Sequence, residues 1–191
     1  MDKQNDIIAA CAPYSGIIFD LDGTLVDLRV DWSAVKESLR AHCLHEKGVD
    51  IEFTPLNQKM QGVKQTFGDP FFLELVAIVA GFELCEEHYR YNDALIAFLE
   101  SCQEKKIAIY SMNTERCVEH FVHKHLKRKP DIVVTKESCS EPKPTDKDLK
   151  KIMHAWGMTA RDVVYIGNTD DDRLSGERAG VSTYITHHFA S

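Results

Sequence analysis

The sequence lacks an excess of positive charge. Its 191 residues carry 23 lysines and arginines against 30 aspartates and glutamates, a formal net charge of −7. Proteins whose main partner is nucleic acid usually carry a basic patch or stripe, so this composition argues against that class. An anionic small molecule is still allowed, because one local cation is enough to hold a phosphate group.

Cysteine pairs with redox or zinc-binding spacing are also missing. The six cysteines form no C-x-x-C pair, and several fall within apolar helical patterns. We interpret them as small buried hydrophobic residues of a protein in a reducing compartment. They lie at positions 11, 43, 85, 102, 117 and 139.

The sequence shows neither a secretory signal nor a long apolar run. The first residues, MDKQNDIIAACAPYSG, combine acids with a very short apolar core. The longest apolar run, PFFLELVAIVAGF, contains Glu74 and is shorter than the roughly 20 residues that a spanning helix needs. We therefore expect a cytoplasmic protein with no membrane partner.

Short apolar runs alternate with helical patterns through the C-terminal half. The runs are continuously apolar, which is typical of a parallel sheet covered by helices on both faces. We predict helices that begin at Asn92, Thr114 and Thr145, the last with Asp148 as a capping-box-like partner, and Gly157 at a helix end. The predicted strands lie within GIIFDLDG, IAIYSMN, DIVVT, DVVYIG and STYIT.

Residues 28–90 follow a different pattern. DWSAVKESLRAHCLHEKG and FFLELVAIVAGF have helical spacing, prolines and glycines punctuate the stretch between them, and no strand–helix alternation is visible. We expect an α/β fold with a doubly wound parallel sheet built from residues 1–27 and 91–191. Residues 28–90 would form a mostly helical insertion after the first strand.

Polar residues follow the predicted strands, and the carboxyl ends of parallel strands meet at one edge of a sheet. They are Asp20 and Asp22 after GIIF, Ser111 after IAIY, Lys143 in EPKPT, and the cluster from Asn168 to Asp172 after VVYI. With Gly23 turning the chain, two acids spaced i, i+2 can present one carboxylate and one backbone carbonyl to one cation. Oxygen ligands of this kind suit Mg²⁺. A lysine and a hydroxyl nearby would bind the remaining oxygens of a phosphate.

These positions resemble, in the same order, the four motifs of the haloacid dehalogenase superfamily. FDLDGTLVD is similar to the first motif, D-x-D-G-T, and Ser111 to the Ser or Thr that ends a strand in the second. Lys143 in Lys-Pro resembles the third motif, and IGNTDDDRLSGERAG resembles the fourth, G-D-S/T-x-x-D. The resemblance runs from Gly16 to about Tyr184 and implies a Rossmann-like core. The insertion stands where the family's phosphoglycolate-phosphatase-like members carry a helical C1 cap.

The resemblance implies a role for each motif. Asp20 would be the nucleophile that forms an aspartyl-phosphate, and Asp22 the general acid and then the general base. Members that act on carbon–halogen bonds lack this second Asp, so a phosphate substrate is favoured. Ser111 would hydrogen-bond a phosphoryl oxygen, with Asn113 as the alternative. Lys143 would offset charge and steady Asp20.

The turn and the fourth motif complete the implied site. Gly23 and Thr24 would shape a turn whose backbone contacts phosphate. The metal ligands would come from Asp20, Asp22, Asn168 and Asp172, although Asn168 stands where the family usually has an acid. A neutral amide should hold Mg²⁺ more weakly than a carboxylate. Asp172 would either hold a metal-bound water or orient Lys143, and Asp171 is left open as a compensating ligand.

The sequence thus favours a Mg²⁺-dependent phosphatase acting on a small phosphorylated metabolite. A sugar-phosphate mutase is a close alternative, because it uses the same intermediate. A binding or regulatory protein that has lost turnover through Asn168 is a second alternative, whereas D-x-D-G-T argues against a receiver domain. Arg29, Lys59 or Lys64 of the insertion could contact the substrate.

Overall fold

The computed structural model describes residues 3–189. Besides one short 3-10 helix (Glu86–His88), seven α-helices and seven strands lie along these residues. They are α1 (Lys3–Ala10), β1 (Gly16–Phe19), β2 (Val26–Asp27), α2 (Trp32–Lys47), α3 (Leu56–Glu83), β3 (Arg90–Tyr91), α4 (Asp93–Ser101), β4 (Lys106–Tyr110), α5 (Glu115–His125), β5 (Ile132–Val134), α6 (Lys147–Trp156), β6 (Val163–Gly167), α7 (Asp170–Ala179) and β7 (Ser182–Ile185).

Five of the strands form one parallel sheet in the order β5-β4-β1-β6-β7. Strand β1 lies in the middle, with Ile17 paired to Ile107 of β4 on one side and to Val164 of β6 on the other. In parallel sheets of this kind, ligands bind beyond the carboxyl ends of the strands, where the strand order reverses. The residues that follow β1, β4 and β6 therefore meet at one edge.

Helices cover both faces of the sheet, as the continuously apolar strands predicted. Ile17, Phe19 and Ile107 face a core that includes residues of α4 and α5, while Ile18 and Tyr165 face a second core against α6 and α7. Successive residues of a strand point to opposite faces, so every position of a central strand is buried. The predicted doubly wound α/β fold is confirmed.

Two of the three predicted helix starts are present, and one is wrong. The side chain of Asn92 accepts from Leu95 N, and that of Thr114 accepts from Cys117 N. Helix α6, however, begins at Lys147 after Asp146, with no capping box. Asp148 is instead buried and accepts hydrogen bonds from Ser140 N and Oγ, because a tertiary donor competes with the local one. Gly157 ends α6 in the left-handed conformation as predicted.

The stretch after β1 holds the two helices α2 and α3, which pack around their own apolar core. A short antiparallel ribbon, β2 with β3, joins this stretch to the sheet domain. Sequence periodicity did not predict the ribbon, because two-residue strands are too short for a pattern.

Helix α3 is the one helix among residues 3–189 with the length and composition of a membrane span. Gly68, with φ 84° and ψ 173°, interrupts it, so neither half reaches the roughly 20 residues that a span needs. Its residues Phe71, Leu75 and Val79 are buried in the core that α3 shares with α2. Apolar composition here therefore serves helix–helix packing.

All six cysteines are free thiols. Cys11, Cys43, Cys102 and Cys117 are buried, as predicted for small hydrophobic residues. Cys139 is half-buried and Cys85 is exposed, so the interpretation does not extend to these two.

Candidate active site

A cavity of about 400 Å³ opens at the carboxyl edge of the sheet. Loops after β1, β4, β5 and β6 line it from below, and helices α2 and α3 line it from above. The predicted residues that line it are Asp20, Asp22, Ser111, Asn113, Lys143, Asn168, Asp171 and Asp172. The structure thus brings the strand-end residues into one pocket of a size that suits a small ligand.

Asp20 lies immediately after β1 with its side chain only 9% exposed. Its Oδ1 accepts from Lys143 Nζ at 2.8 Å, and its Oδ2 accepts from Thr24 Oγ1 at 3.1 Å. Burial raises the pKa of Asp20 to about 6, although Lys143 opposes the shift. The carboxyl is therefore mostly ionised at neutral pH and held in a fixed orientation.

Lys143 uses all three of its ammonium N–H groups. It donates to Asp20 Oδ1 at 2.8 Å, to Asp172 Oδ1 at 2.7 Å and to the Tyr110 carbonyl at 3.0 Å. Burial lowers the pKa of Lys143, but the two carboxylates raise it by more. The ammonium stays charged, and a phosphoryl oxygen would have to displace one of these acceptors to bind it directly.

Asp172 lies in the first turn of α7, and its side chain is 1% exposed. Its Oδ1 accepts from Lys143 and from Tyr165 Oη, and its Oδ2 accepts from Asn168 N, Thr169 N and Thr169 Oγ1. Burial raises its pKa, whereas Lys143 and the hydrogen bonds lower it by more, to about 2. Of the two predicted alternatives, this geometry favours orienting Lys143 over holding a metal-bound water.

Asp22 follows two residues after Asp20 and also faces the cavity. Its Oδ1 accepts from Leu28 N at 3.0 Å. Burial raises the pKa of Asp22 to about 7, more than the hydrogen bond from Leu28 lowers it. A pKa near neutrality leaves both protonation states populated, which is what a group that gives and then takes a proton requires.

Three oxygens from separate groups converge beside Asp20. The amide oxygen position of Asn168 lies 3.3 Å from Asp20 Oδ2 and 3.2 Å from the Asp22 carbonyl oxygen. Without a cation the opposite amide orientation would be preferred, since the amide nitrogen would then donate to both oxygens. Adjacent ligands of an octahedral Mg²⁺ lie about 3.0 Å apart, given metal–oxygen distances of about 2.1 Å. The donor set and its spacing therefore fit one small hard cation.

Gly23 lets the turn after β1 approach Asn168. It has φ +80°, and a Cβ at this position would lie 1.9 Å from Asn168 Nδ2. Its N–H donates to the Val26 carbonyl at 2.7 Å, which closes the turn. Only glycine fits, because both the backbone conformation and the space exclude a side chain.

Ser111 follows β4 and is held by Asn113. Its hydroxyl donates to Asn113 Oδ1 at 2.6 Å and accepts from Asn113 N at 3.1 Å. Asn113 Nδ2 in turn donates to Glu83 Oε1 at 2.9 Å. Asn113, the alternative phosphate ligand, is thus engaged in orienting Ser111.

Sequence reasoning missed Glu83, the last residue of α3. Its side chain is buried and accepts from Asn113 and from both Thr114 N, at 3.0 Å, and Thr114 Oγ1, at 2.6 Å. It therefore ties the end of the insertion to the start of α5, directly behind Ser111. A glutamate at the end of an apolar helix carries no local signal of such a contact.

The sequence also missed the residues of the insertion that line the cavity. These are Trp32, Lys36, Leu56 and Asn57, together with Lys136 after β5. The residues suggested earlier, Arg29, Lys59 and Lys64, are not among its lining residues.

Histidines and cysteines supply no metal site within residues 3–189. No group of three or more His, Cys, Asp or Glu side chains is arranged there to hold a metal ion. The oxygen cluster beside Asp20 differs in kind, because it combines one carboxylate with a backbone carbonyl and an amide.

Comparison with protein families gives one match over residues 17–186, to the haloacid dehalogenase-like hydrolases. The matched region contains all four motifs and the helical insertion between the first and second.

Individual relatives agree with this match. The chain is 28% identical to a phosphoglycolate phosphatase of Aquifex aeolicus (strain VF5), over 88% of this chain and 83% of that protein. It is 25% identical to the pyrophosphatase PpaX of Bacillus velezensis, over 88% of this chain and 81% of that one. A solved structure of CbbY from Rhodobacter sphaeroides in complex with phosphate has the same fold, with a TM-score of 0.64, 14% identity, and coverage of 91% and 86%.

Proposed function

Because the chain belongs to the haloacid dehalogenase-like hydrolase family, we propose that it is a Mg²⁺-dependent phosphatase that acts on a small phosphate monoester. The observation that carries this proposal is the setting of Asp20. Lys143 orients its carboxylate through one oxygen. The other oxygen lies beside the Asn168 amide and the Asp22 carbonyl, in the cluster that we propose binds a cation. A second carboxyl, Asp22, faces the same cavity.

The proposed reaction has two steps. In the first, an oxygen of Asp20 attacks phosphorus, the bond from phosphorus to the leaving oxygen breaks, and Asp22 gives that oxygen its proton. In the second, Asp22 takes a proton from water as the water attacks phosphorus, and the Asp20–phosphate bond breaks to release inorganic phosphate. Ser111 donates to a phosphoryl oxygen once its single O–H turns from Asn113 Oδ1 toward the substrate. Lys143 keeps Asp20 in line.

Asp20, the Asp22 carbonyl and Asn168 would hold the divalent cation, for which we propose Mg²⁺ because all three ligands are hard oxygens. When bound, the cation lowers the repulsion between the anionic nucleophile and the anionic phosphate. Asp172 acts through Lys143, which it anchors with a 2.7 Å hydrogen bond.

We keep the division into a core of residues 1–27 and 91–191 and a cap of residues 28–90 as a proposal. The ribbon of β2 and β3 lies at both crossing points, with Asp27 paired to Arg90. Gln58 of α3 donates to the Lys143 carbonyl at 3.1 Å, so the insertion touches the core beside the nucleophile. A cap that closes in this way would exclude water from the site.

The test is phosphate release from a panel of phosphate monoesters, including p-nitrophenyl phosphate, with and without Mg²⁺. We expect turnover by the wild-type protein that requires Mg²⁺, and its loss in Asp20→Asn. Asp170→Asn is the matched control, since Asp170 is an exposed side chain of the same motif that pairs with Arg173. Equal inactivity of wild type and Asp20→Asn across the panel would refute the phosphatase.

A further inference from the structure

A second lysine, Lys136, opens on the cavity that holds Asp20. We propose that Lys136, positioned by Asn57 of the insertion, binds a second anionic group on the leaving-group side of the substrate. This inference rests on the proposed phosphatase function and adds a specificity-determining residue to it. The substrate class is then a small phosphate compound whose leaving group itself carries a carboxylate or a phosphoryl group.

Lys136 is built into the floor of the cavity. It follows β5, its backbone N–H donates to the Asn113 carbonyl at 2.9 Å, and only 7% of the residue is exposed. Its ammonium donates to Asn57 Oδ1, a neutral acceptor at the start of α3. Long charged side chains are rarely buried to this degree unless they are paired.

Within residues 3–189, no carboxylate lies within ion-pair distance of the Lys136 ammonium. Glu83 is the acid with the largest electrostatic effect on it, but the Glu83 carboxylate is already engaged by Asn113 and Thr114. Burial accordingly lowers the pKa of Lys136 more than its acidic neighbours raise it. Lys136 thus donates to a single neutral acceptor, has N–H groups to spare and lines the ligand cavity.

The other lysines of the cavity define what Lys136 would bind. Lys143 is neutralised by Asp20 and Asp172 and belongs to the nucleophile. Lys36 of α2 lines the cavity from the insertion and adds positive charge on the same side as Asn57. Trp32 and Leu56 line the same cavity, whose volume of about 400 Å³ suits a small leaving group. A short anionic leaving group satisfies Lys136, whereas a neutral one leaves a buried charge with a single partner.

The decisive comparison uses two substrates that differ by one charge. Phosphoglycolate and ethyl phosphate have the same two-carbon chain, and only the first carries a carboxylate. In Lys136→Met, which keeps side-chain length, we expect the ratio of kcat/KM for phosphoglycolate to that for ethyl phosphate to fall about 10- to 100-fold, as for loss of a charge-assisted hydrogen bond. Inorganic pyrophosphate is a second test substrate. A larger fall in kcat/KM for phosphoglycolate identifies a carboxylate as the group that Lys136 binds, and a larger fall for pyrophosphate identifies a phosphoryl group.

Two further variants separate charge from folding. Asn57→Asp leaves Lys136 in place but gives it a carboxylate partner, so the same ratio should fall without any loss of the lysine. Lys150→Met removes an exposed lysine of α6 that pairs with Asp146, and it should leave the ratio unchanged. An unchanged ratio in Lys136→Met, with a thermal unfolding curve like that of the wild type, overturns the inference while the phosphatase stands.

A binding measurement decides the inference independently of turnover. Calorimetric titration of Asp20→Asn with phosphoglycolate and with ethyl phosphate measures the dissociation constant of each ligand. The ratio of the two constants compares the ligands without turnover. We expect Lys136→Met in that background to weaken phosphoglycolate binding selectively by about 10- to 100-fold. Equal weakening of both ligands overturns the inference, and absence of wild-type turnover with selective weakening refutes only the phosphatase.

Discussion

Replacing Asn168 by aspartate tests the cation site most directly. The amide oxygen position of Asn168 lies 3.3 Å from Asp20 Oδ2 and 3.2 Å from the Asp22 carbonyl oxygen. Asn168→Asp keeps the size of the side chain but adds a negative charge to this cluster. It also removes the amide nitrogen, which can donate to both oxygens when no cation is bound.

The expected magnitude follows from the distance. At 3.3 Å, Coulomb's law with an effective dielectric constant of about 20 gives a repulsion of about 5 kcal/mol between the new carboxylate and Asp20. Asn168 is half-buried and stands just before α7, so solvent and the helix N-terminus reduce this value. We expect the metal-free protein to lose about 1–3 kcal/mol in free energy of unfolding, or roughly 2–10 °C in Tm.

A bound cation should reverse the sign of the effect. When Mg²⁺ is present, the carboxylate introduced at position 168 becomes a favourable ligand. Because affinity for divalent cations rises with the charge of the ligands, we expect Mg²⁺ to bind Asn168→Asp at least about tenfold more tightly than the wild type. Mg²⁺ titration by calorimetry gives the affinity, and thermal unfolding in chelator and in Mg²⁺ gives the stability. The variant should be less stable than wild type in chelator and gain more from Mg²⁺.

Asp171→Asn is the matched control. Asp171 is an exposed residue of the same motif and lies at the cavity rim, so removing its charge should change Mg²⁺ affinity much less. If Asn168→Asp bound Mg²⁺ with wild-type affinity and unfolded like the wild type in chelator, position 168 would not be a ligand. A large loss of Mg²⁺ affinity in Asp171→Asn would instead identify Asp171 as the compensating ligand.

Two further substitutions test the frame of the site. Gly23→Ala should cost about 1–2 kcal/mol of stability because φ is +80°, and its Cβ would displace Asn168, so both Tm and Mg²⁺ affinity should fall; an unchanged affinity would show that the turn does not position the amide. Glu83→Gln replaces one accepting oxygen by an amide nitrogen, which then faces either the donors of Thr114 or the side-chain amide of Asn113. Because a donor would then face a donor, we expect a loss of about 1–3 kcal/mol in unfolding free energy and a lower kcat on every phosphate ester. A stability equal to wild type would mean that the contact between the insertion and α5 does not contribute.

The strands and the order of the site residues were predictable from local pattern. Apolar runs marked the strands of the sheet, and the polar residues predicted directly after β1, β4 and β6 line the cavity at one edge. These strands were predictable because a strand that is buried on both faces has apolar residues at successive positions, and such a run is visible in the sequence. The helix starts at Asn92 and Thr114 were also predictable, because a helix cap is a contact between residues that are close in the sequence.

Apart from the contacts that the four motifs implied, such as Lys143 with Asp20, the contacts between distant segments were not predictable from the sequence. Asp148 matched a local capping pattern but binds Ser140, because a buried carboxylate takes the donors that the fold supplies. Asp172 was predicted either to hold a metal-bound water or to orient Lys143, and its hydrogen bonds from Lys143 and Tyr165 favour the second. No spacing in the sequence records which of several donors will be nearest.

The sequence by itself determined the family, the sheet and the residues that gather at its edge, because these depend on local periodicity and on short motifs. Only the tertiary structure decided that Lys143 is fully engaged while Lys136 faces the cavity with one neutral partner. Both lysines lie in the loop between β5 and α6. The Lys-Pro pair marks Lys143, whereas no local pattern marks Lys136. The physical reason is that burial and charge pairing arise from packing of segments far apart in the chain, here the insertion against the core.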